Sequence, residues 1–167
     1  MVDLNCVYIF SLYVCFIADF QLLFVIADLF TAGTETSATT LAWAIIYMLH
    51  HPEIQKQVQE EIHHHLGYDR MPRMKDKPSL PYTEACILEI QRMADIVPLG
   101  VPHTVTEDVI YRGYHLPKGT TVMSNLYSVH RDATMWKEPY TFNPQRFIDN
   151  EGKVHNRENI IPFSMGK

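Results

Sequence analysis

The chain has 167 residues, of which 47% are hydrophobic and 20% charged, the proportions of an ordinary globular domain able to bury a core. Its 14 Lys+Arg against 19 Asp+Glu leave a formal net charge of -5, which excludes a nucleic-acid binder, since that class needs a basic face to neutralise phosphates. No Lys or Arg precedes Lys56, so the first third is apolar and mildly acidic, as suits a buried or membrane-facing start. Cys6, Cys15 and Cys86 have no C-x-x-C spacing and leave one unpaired, which fits a reducing compartment and small buried hydrophobes rather than a disulfide scaffold.

The run from Cys6 to Ala18 is apolar apart from Ser11, but Asp19 interrupts it before the roughly 20 residues needed to span a bilayer. It also lacks the basic flank of a secretory signal. Residues 1–18 are therefore read as an apolar extension, either membrane-inserted or foreign to the domain, and 19–167 as the domain itself. From Phe20 to His50 there is no proline and apolar residues lie nearly all round, which predicts one long, deeply buried helix. Its middle, Ala32-Gly33-Thr34-Glu35-Thr36-Ser37, violates that pattern. A mid-helix glycine costs about 1 kcal/mol against alanine, and Ser or Thr hydroxyls bond back to earlier carbonyls and bend helices. A bend is expected here, and such local violations are where function is expected.

Pro52 after His51 ends that helix and opens a second, whose stripe of Ile54, Val58, Ile62 and Leu66 packs by one face and whose Gly67 suits a C-terminal cap. The proline-rich stretch Met71 to Pro81 reads as a loop, and Tyr82 to Met93 as a third helix. Short strands are predicted at Val101 to Val105, Val109 to Tyr111 and Thr120 to Met123, separated by the turn signals Arg112-Gly113 and Pro117-Lys118-Gly119. Asn125 to His130 reads as a short helix, and the scattered prolines and aromatics beyond Asp132 as a long ordered loop. The fold class is mainly α with a small β portion.

Four local patterns occur in fixed order, and each alone has a plain explanation. Ala32 to Ser37 could be a kinked core helix, and Glu89-Ile-Gln-Arg92 an ordinary i,i+3 surface ion pair. Phe142-Asn-Pro-Gln-Arg-Phe147 could be a local packing cluster, and Pro162-Phe-Ser-Met-Gly-Lys167 a glycine-bearing turn. Adjacent histidines at His50-His51 and His63-His64-His65 point to different helix faces and have no matching Cys, Asp or Glu to complete a tetrahedral set, so no metal site is assigned to them.

Taken together, the order and spacing of these patterns resemble the cytochrome P-450 family of haem-thiolate monooxygenases from Phe20 to Lys167. Ala32 to Ser37 resembles its oxygen-binding stretch, Glu89-x-x-Arg92 its glutamate-arginine motif, and Phe142 to Phe147 its proline-arginine-phenylalanine segment. Pro162 to Lys167 resembles the opening of its haem-binding loop, Phe-x-x-Gly-x-Arg-x-Cys-x-Gly, whose cysteine would fall three residues past Lys167. Leu80-Pro-Tyr-Thr-Glu, Val97-Pro-Leu-Gly-Val-Pro-His103 and Asn125-Leu-Tyr-Ser-Val-His-Arg-Asp132 resemble the microsomal second family, and within it subfamily U, long-chain fatty-acid hydroxylases.

The resemblance implies a partial fold of that family, with the long central helix, the helices after it, short strands and a meander loop. It implies haem as cofactor, with Ala32, Gly33, His103 and Phe163 against it. Thr36 is implied to hydrogen-bond dioxygen and a water, with Glu35 feeding a proton relay. Gly33 lets the helix backbone approach the haem. Glu89, Arg92 and Arg146 are implied to form a buried triad supporting the haem loop. Val97, Leu99, Gly100 and Val101, with Phe24 to Ala32, are implied to line an apolar substrate pocket. The implied setting is the cytoplasmic face of the endoplasmic reticulum membrane, with an NADPH-cytochrome P-450 reductase as electron donor and fatty acids or xenobiotics as lipophilic substrates. No metal ligand is assigned within the chain, so as it stands it is expected neither to retain haem nor to turn over. Residues 1–18 match nothing in the family where they stand. The rival reading is a non-catalytic membrane-associated or interaction remnant, or an incomplete gene model.

Overall fold

The computed structural model describes residues 19–165; the apolar extension at 1–18, with Cys6 and Cys15, and the terminal Gly166 and Lys167 lie outside the described residues. The chain divides into two compact units, Met1–Thr39 and Thr40–Lys167. A single helix, α1 (Asp19–His50), runs through the boundary without interruption, as an unbroken apolar run without proline should. Its burial departs from expectation. Phe20 and Phe30 are each 72% exposed and Leu41 is 65% exposed, and it is the last two turns that pack, through Ala44, Tyr47 and Met48. Apolar residues all round predict burial only where a neighbour reaches every face, and among the described residues the first unit contributes none to the buried core. No described helix is long and apolar enough to cross a membrane.

The second unit is built around α3 (Pro81–Ala94). Before it, α2 (Pro52–Leu66) starts on Pro52, whose missing N–H costs nothing in a first turn, and ends at Gly67, where φ is +70° and the amide donates to the His63 carbonyl at 3.0 Å. The proline-rich connection, expected as plain loop, contains a 3-10 helix at Met74–Ser79. Asp76 organises it by accepting from the Arg73 amide at 2.8 Å and from both ends of the Arg70 guanidinium at 2.7 and 2.9 Å. This tertiary-scale chelation has no periodic signature, which is why the segment reads as irregular.

Helix α3 owes its start to a side chain of another helix. The Glu61 carboxylate of α2 accepts from the Tyr82 and Thr83 amides, each at 2.8 Å, and from the Thr83 hydroxyl at 2.6 Å, satisfying two donors that no intrahelical carbonyl can reach. One side of α3 packs Cys86 and Ile90 against Ile54 and Phe142, with Tyr47 stacked on Phe142 at 4.5 Å between ring centroids. The other side packs Ala85 against Trp136 and Phe147. Helix α3 is therefore covered on two sides, which explains how it can carry fully buried charges.

Four short strands follow. β1 (His103–Thr104) pairs antiparallel with β4 (Thr121–Val122), and between them β2 (Val109–Tyr111) and β3 (Tyr114–Leu116) form a hairpin in the register Val109↔Leu116. Its turn residues Arg112 and Gly113 both have positive φ, +49° and +85°, the primed geometry that matches strand twist. The strand Tyr114–Leu116 has no counterpart among the expected ones, and β1 and β4 are shorter than expected. Helix α4 (Leu126–His130) is capped by the Asn125 side chain, which accepts from the Ser128 amide at 3.1 Å. The remainder is a long ordered segment with 3-10 turns at Pro144–Phe147 and Arg157–Asn159.

Candidate functional site

The i,i+3 spacing of Glu89 and Arg92 places both on one face of α3, and both are 0% exposed. Arg92 meets the carboxylate with a fork, Nε to Oε2 at 2.8 Å and Nη2 to Oε1 at 2.8 Å. Its Nη1 donates to the His130 and Pro139 carbonyls at 2.8 and 2.7 Å, and Nη2 also reaches the Thr141 carbonyl at 3.3 Å. Arg146 enters from the 3-10 turn Pro144–Phe147, with Nε donating to Glu89 Oε1 at 3.1 Å across 57 positions of sequence. Its other nitrogens hold the carbonyls of Lys137, Glu138 and Thr141 at 2.7 to 3.2 Å. The Asn143 amide completes the shell of Glu89 Oε1 at 2.9 Å.

One carboxylate and two guanidiniums leave a net positive charge inside the protein, which would be costly if bare. Five backbone carbonyls aim their negative ends at the surplus, and the Trp136 ring face lies 5.3 Å from the Arg92 guanidinium. The alternative of a solvated surface pair does not hold for this cluster. What the arrangement can do is rigid: it ties α3 to the segment Pro139–Phe147 through the fully buried side chains of Glu89 and Arg92.

A second layer lies at the end of α3. Arg131 donates Nη1 to the Arg92 carbonyl at 2.7 Å and Nη2 to the Met93 carbonyl at 3.0 Å, capping the negative end of the helix with a cation. Asp95, in the left-handed conformation at φ 44°, pairs with Arg131 at 2.7 Å. His130 is 1% exposed and accepts the Ile161 amide on Nε2 at 3.1 Å. These three were missed as functional residues from sequence, although the run Val129-His-Arg-Asp132 stands out in charge at the end of a short apolar helix.

The remaining candidates are not gathered into one cluster. In the first unit, the Thr36 hydroxyl donates to the Ala32 carbonyl at 2.6 Å, Glu35 is exposed, and a Cβ added at Gly33 would meet nothing within 4 Å. In the second unit, His103 is exposed on β1 and Phe163 is exposed in the final turn. Gly100, at φ +63°, closes a turn by donating to the Val97 carbonyl at 3.1 Å, with Leu99 and Val101 exposed beside it. None of these four lines the open groove of about 510 Å³ along α3, whose walls include Met74, Leu80, Ile87 and Leu88.

The cytochrome P450 family model matches residues 18–167, which takes in every residue of the charge cluster. This chain belongs to the cytochrome P450 family. Its relatives are members of the second family: cytochrome P450 2U1 of Rattus norvegicus is 47% identical over 146 residues, 87% of this chain and 28% of that protein. Cytochrome P450 2J2 of Homo sapiens is 52% identical over 140 residues, 84% of this chain and 28% of its own length. A vitamin D(3) 25-hydroxylase of Sus scrofa is 46% identical over 149 residues, 89% of this chain and 30% of its own. The chain thus spans under a third of the relatives it matches. The mainly helical fold with small antiparallel sheets is a partial cytochrome P450 fold.

The family's cofactor is haem, and the residues present can be tested against it. A flat apolar macrocycle needs a helix segment that can be approached without a side chain in the way, and the space over Gly33 is open. A propionate needs a donor in reach of solvent, which the exposed imidazole of His103 can supply. Cys86 cannot supply a thiolate: it is buried inside α3, and burial pushes its thiol up to about 12, well above the ordinary thiol range. Each unit thus holds a residue whose chemistry is compatible with a porphyrin, and the one described cysteine does not suit its iron.

Proposed function

We propose that this cytochrome P450 segment supplies the oxygen-side helix and the haem-loop support of a monooxygenase that hydroxylates lipophilic substrates. Fatty acids or xenobiotics are the substrate class, and electrons come from an NADPH-dependent reductase at the cytoplasmic face of the endoplasmic reticulum. The observation that carries the reading is the fully buried Glu89–Arg92 pair, joined by the partly buried Arg146, inside the family match. A protein with no further use for them would not be expected to keep the Glu89 carboxylate and the Arg92 guanidinium out of water, because replacing such a pair with apolar residues is often neutral or stabilising. Haem ligated through a cysteine thiolate supplies dioxygen activation, since the thiolate pushes electron density that favours O–O cleavage.

The chain's own residues are assigned as follows. Gly33 and Ala32 give the cofactor a close backbone approach on α1, His103 donates to a propionate, and Phe163 packs against the ring. Thr36 orients a water that in turn donates to dioxygen; its hydroxyl donates to the Ala32 carbonyl, which leaves its lone pairs to accept from that water. Glu35, one position earlier and exposed, takes up and hands on solvent protons. Val97, Leu99, Gly100 and Val101 present apolar surface to the substrate. That a relative is named a vitamin D(3) 25-hydroxylase supports hydroxylation of an apolar molecule without choosing the substrate here.

The test is a full-length protein carrying this segment, reduced and exposed to carbon monoxide, then supplied with reductase, NADPH and a long-chain fatty acid. A thiolate-type carbon monoxide band and a hydroxylated product are expected. Thr36→Ala should keep the band and consume NADPH while losing most product. Unchanged product yield from that variant would remove Thr36 from the chemistry.

A further inference from the structure

The last described turn begins at Ile161 and contains Phe163. Ser164 closes it by donating its amide to the Ile161 carbonyl at 3.0 Å, and Pro162 has no amide to donate. The Ile161 amide is the remaining handle, and it goes to the Nε2 atom of His130 at 3.1 Å. An imidazole nitrogen that accepts is unprotonated, so in the neutral ring the proton sits on Nδ1. Nδ1 faces Asp95 Oδ1 at 3.6 Å, and that oxygen is buried with no hydrogen-bond partner of its own. A carboxylate facing the second nitrogen is what sets a histidine tautomer. Asp95 is held in place by Arg131 at 2.7 Å, and the His130 carbonyl accepts from Arg92 at 2.8 Å. The same residue therefore takes a hydrogen bond from the charge cluster on its backbone and one from the turn on its ring.

We propose that His130 is a positioning residue: in the Nδ1–H tautomer, oriented by Asp95, it tethers the Ile161 amide and passes the rigidity of the Glu89–Arg92–Arg146 cluster to the turn holding Phe163. Its use in seating haem rests on the function proposed above; the tether does not. With the ring 1% exposed, water cannot stand in as acceptor if the imidazole is lost. A phenylalanine matches the ring's shape and removes the acceptor, whereas a glutamine places its amide oxygen near the position of Nε2.

The experiment measures hydrogen exchange at the Ile161 amide and the 15N shifts of the His130 ring in the full chain. The ring is expected as the Nδ1–H tautomer. His130→Phe should speed Ile161 exchange roughly 5- to 100-fold, as for a buried donor left without its acceptor, while His130→Gln stays close to the parent. An Nε2–H tautomer, or equal Ile161 protection in folded His130→Phe, overturns the tether. Should His130→Phe not fold, the ring shifts and His130→Gln decide the matter. In a full-length protein carrying these residues, His130→Phe should lose its thiolate-type carbon monoxide band faster on standing and His130→Gln should restore it. Rapid Ile161 exchange with an undiminished band would overturn the role toward haem. A missing band in the unsubstituted protein would instead count against the proposed function, with the tether still decided by exchange.

Discussion

Replacing Arg92 with lysine tests the physical reading of the charge cluster most sharply, because it keeps the charge and removes the geometry. Arg92 serves five oxygens: two of Glu89 and the carbonyls of His130, Pro139 and Thr141. Lysine's ammonium has three donors at one point in space, so at least two acceptors lose their partner. The Thr141 carbonyl keeps Arg146 and the His130 carbonyl keeps a long contact from Arg131 at 3.5 Å, but the Pro139 carbonyl has no other donor among the described contacts. At about 1–3 kcal/mol for an acceptor left bare, loss of the Pro139 contact alone costs about 1–3 kcal/mol. Glu89→Ala strands two guanidiniums and should cost about 3–5 kcal/mol. For a chain of this size that corresponds to a fall in melting temperature of roughly 6–20 °C, readable by circular dichroism. In a full-length protein carrying the segment, both variants should also fail to incorporate haem. An Arg92→Lys protein that melts with the parent and keeps its haem would refute the structural role.

Removing the Glu61 carboxylate should loosen the start of α3: Glu61→Ala is expected to cost about 0.5–2 kcal/mol, as for loss of a helix cap, and to speed exchange at the Tyr82 and Thr83 amides. Unchanged exchange there would show that water replaces the carboxylate. The Arg70 guanidinium and the Arg73 amide hold the Asp76 carboxyl down at about 2, below the ordinary carboxylate range. A depressed folded value stabilises the fold above the unfolded carboxylate range and loses that contribution as pH falls toward 2, so acid should loosen residues 70–80 and Asp76→Asn should remove this pH dependence. Cys86, buried and with its thiol near 12, should resist alkylation at neutral pH in the folded chain and react fully in denaturant, followed by mass spectrometry of its peptide. Rapid native labelling would mean that α3 opens.

Much of the local architecture was legible in the sequence. Proline at position 52 and glycine at 67 bracket α2, and the Arg112-Gly113 pair marks a turn after the strand Val109–Tyr111, because these residues act through their own backbone. The strand Tyr114–Leu116 escaped because three residues do not establish alternation, and the Met74–Ser79 turn escaped because it depends on Arg70 reaching Asp76. The order of motifs placed the chain in its family, yet it offered no role for His130, Arg131 or Asp95, which meet one another and backbone atoms only once distant parts of the chain come together.

The sequence by itself determined the main helices, the turn at Arg112-Gly113 and the family, since periodicity, proline, glycine and motif order are properties of neighbours along the chain. Only the tertiary structure decided that Glu89 and Arg92 are buried rather than a surface pair, and that Arg146 arrives from 57 positions away. It also decided that α1, apolar all round, keeps much of its apolar surface exposed. The reason is the same in each case: burial, and the cost or worth of a charge within it, depends on what other parts of the chain bring to that point in space, and spacing along one helix does not encode its neighbours.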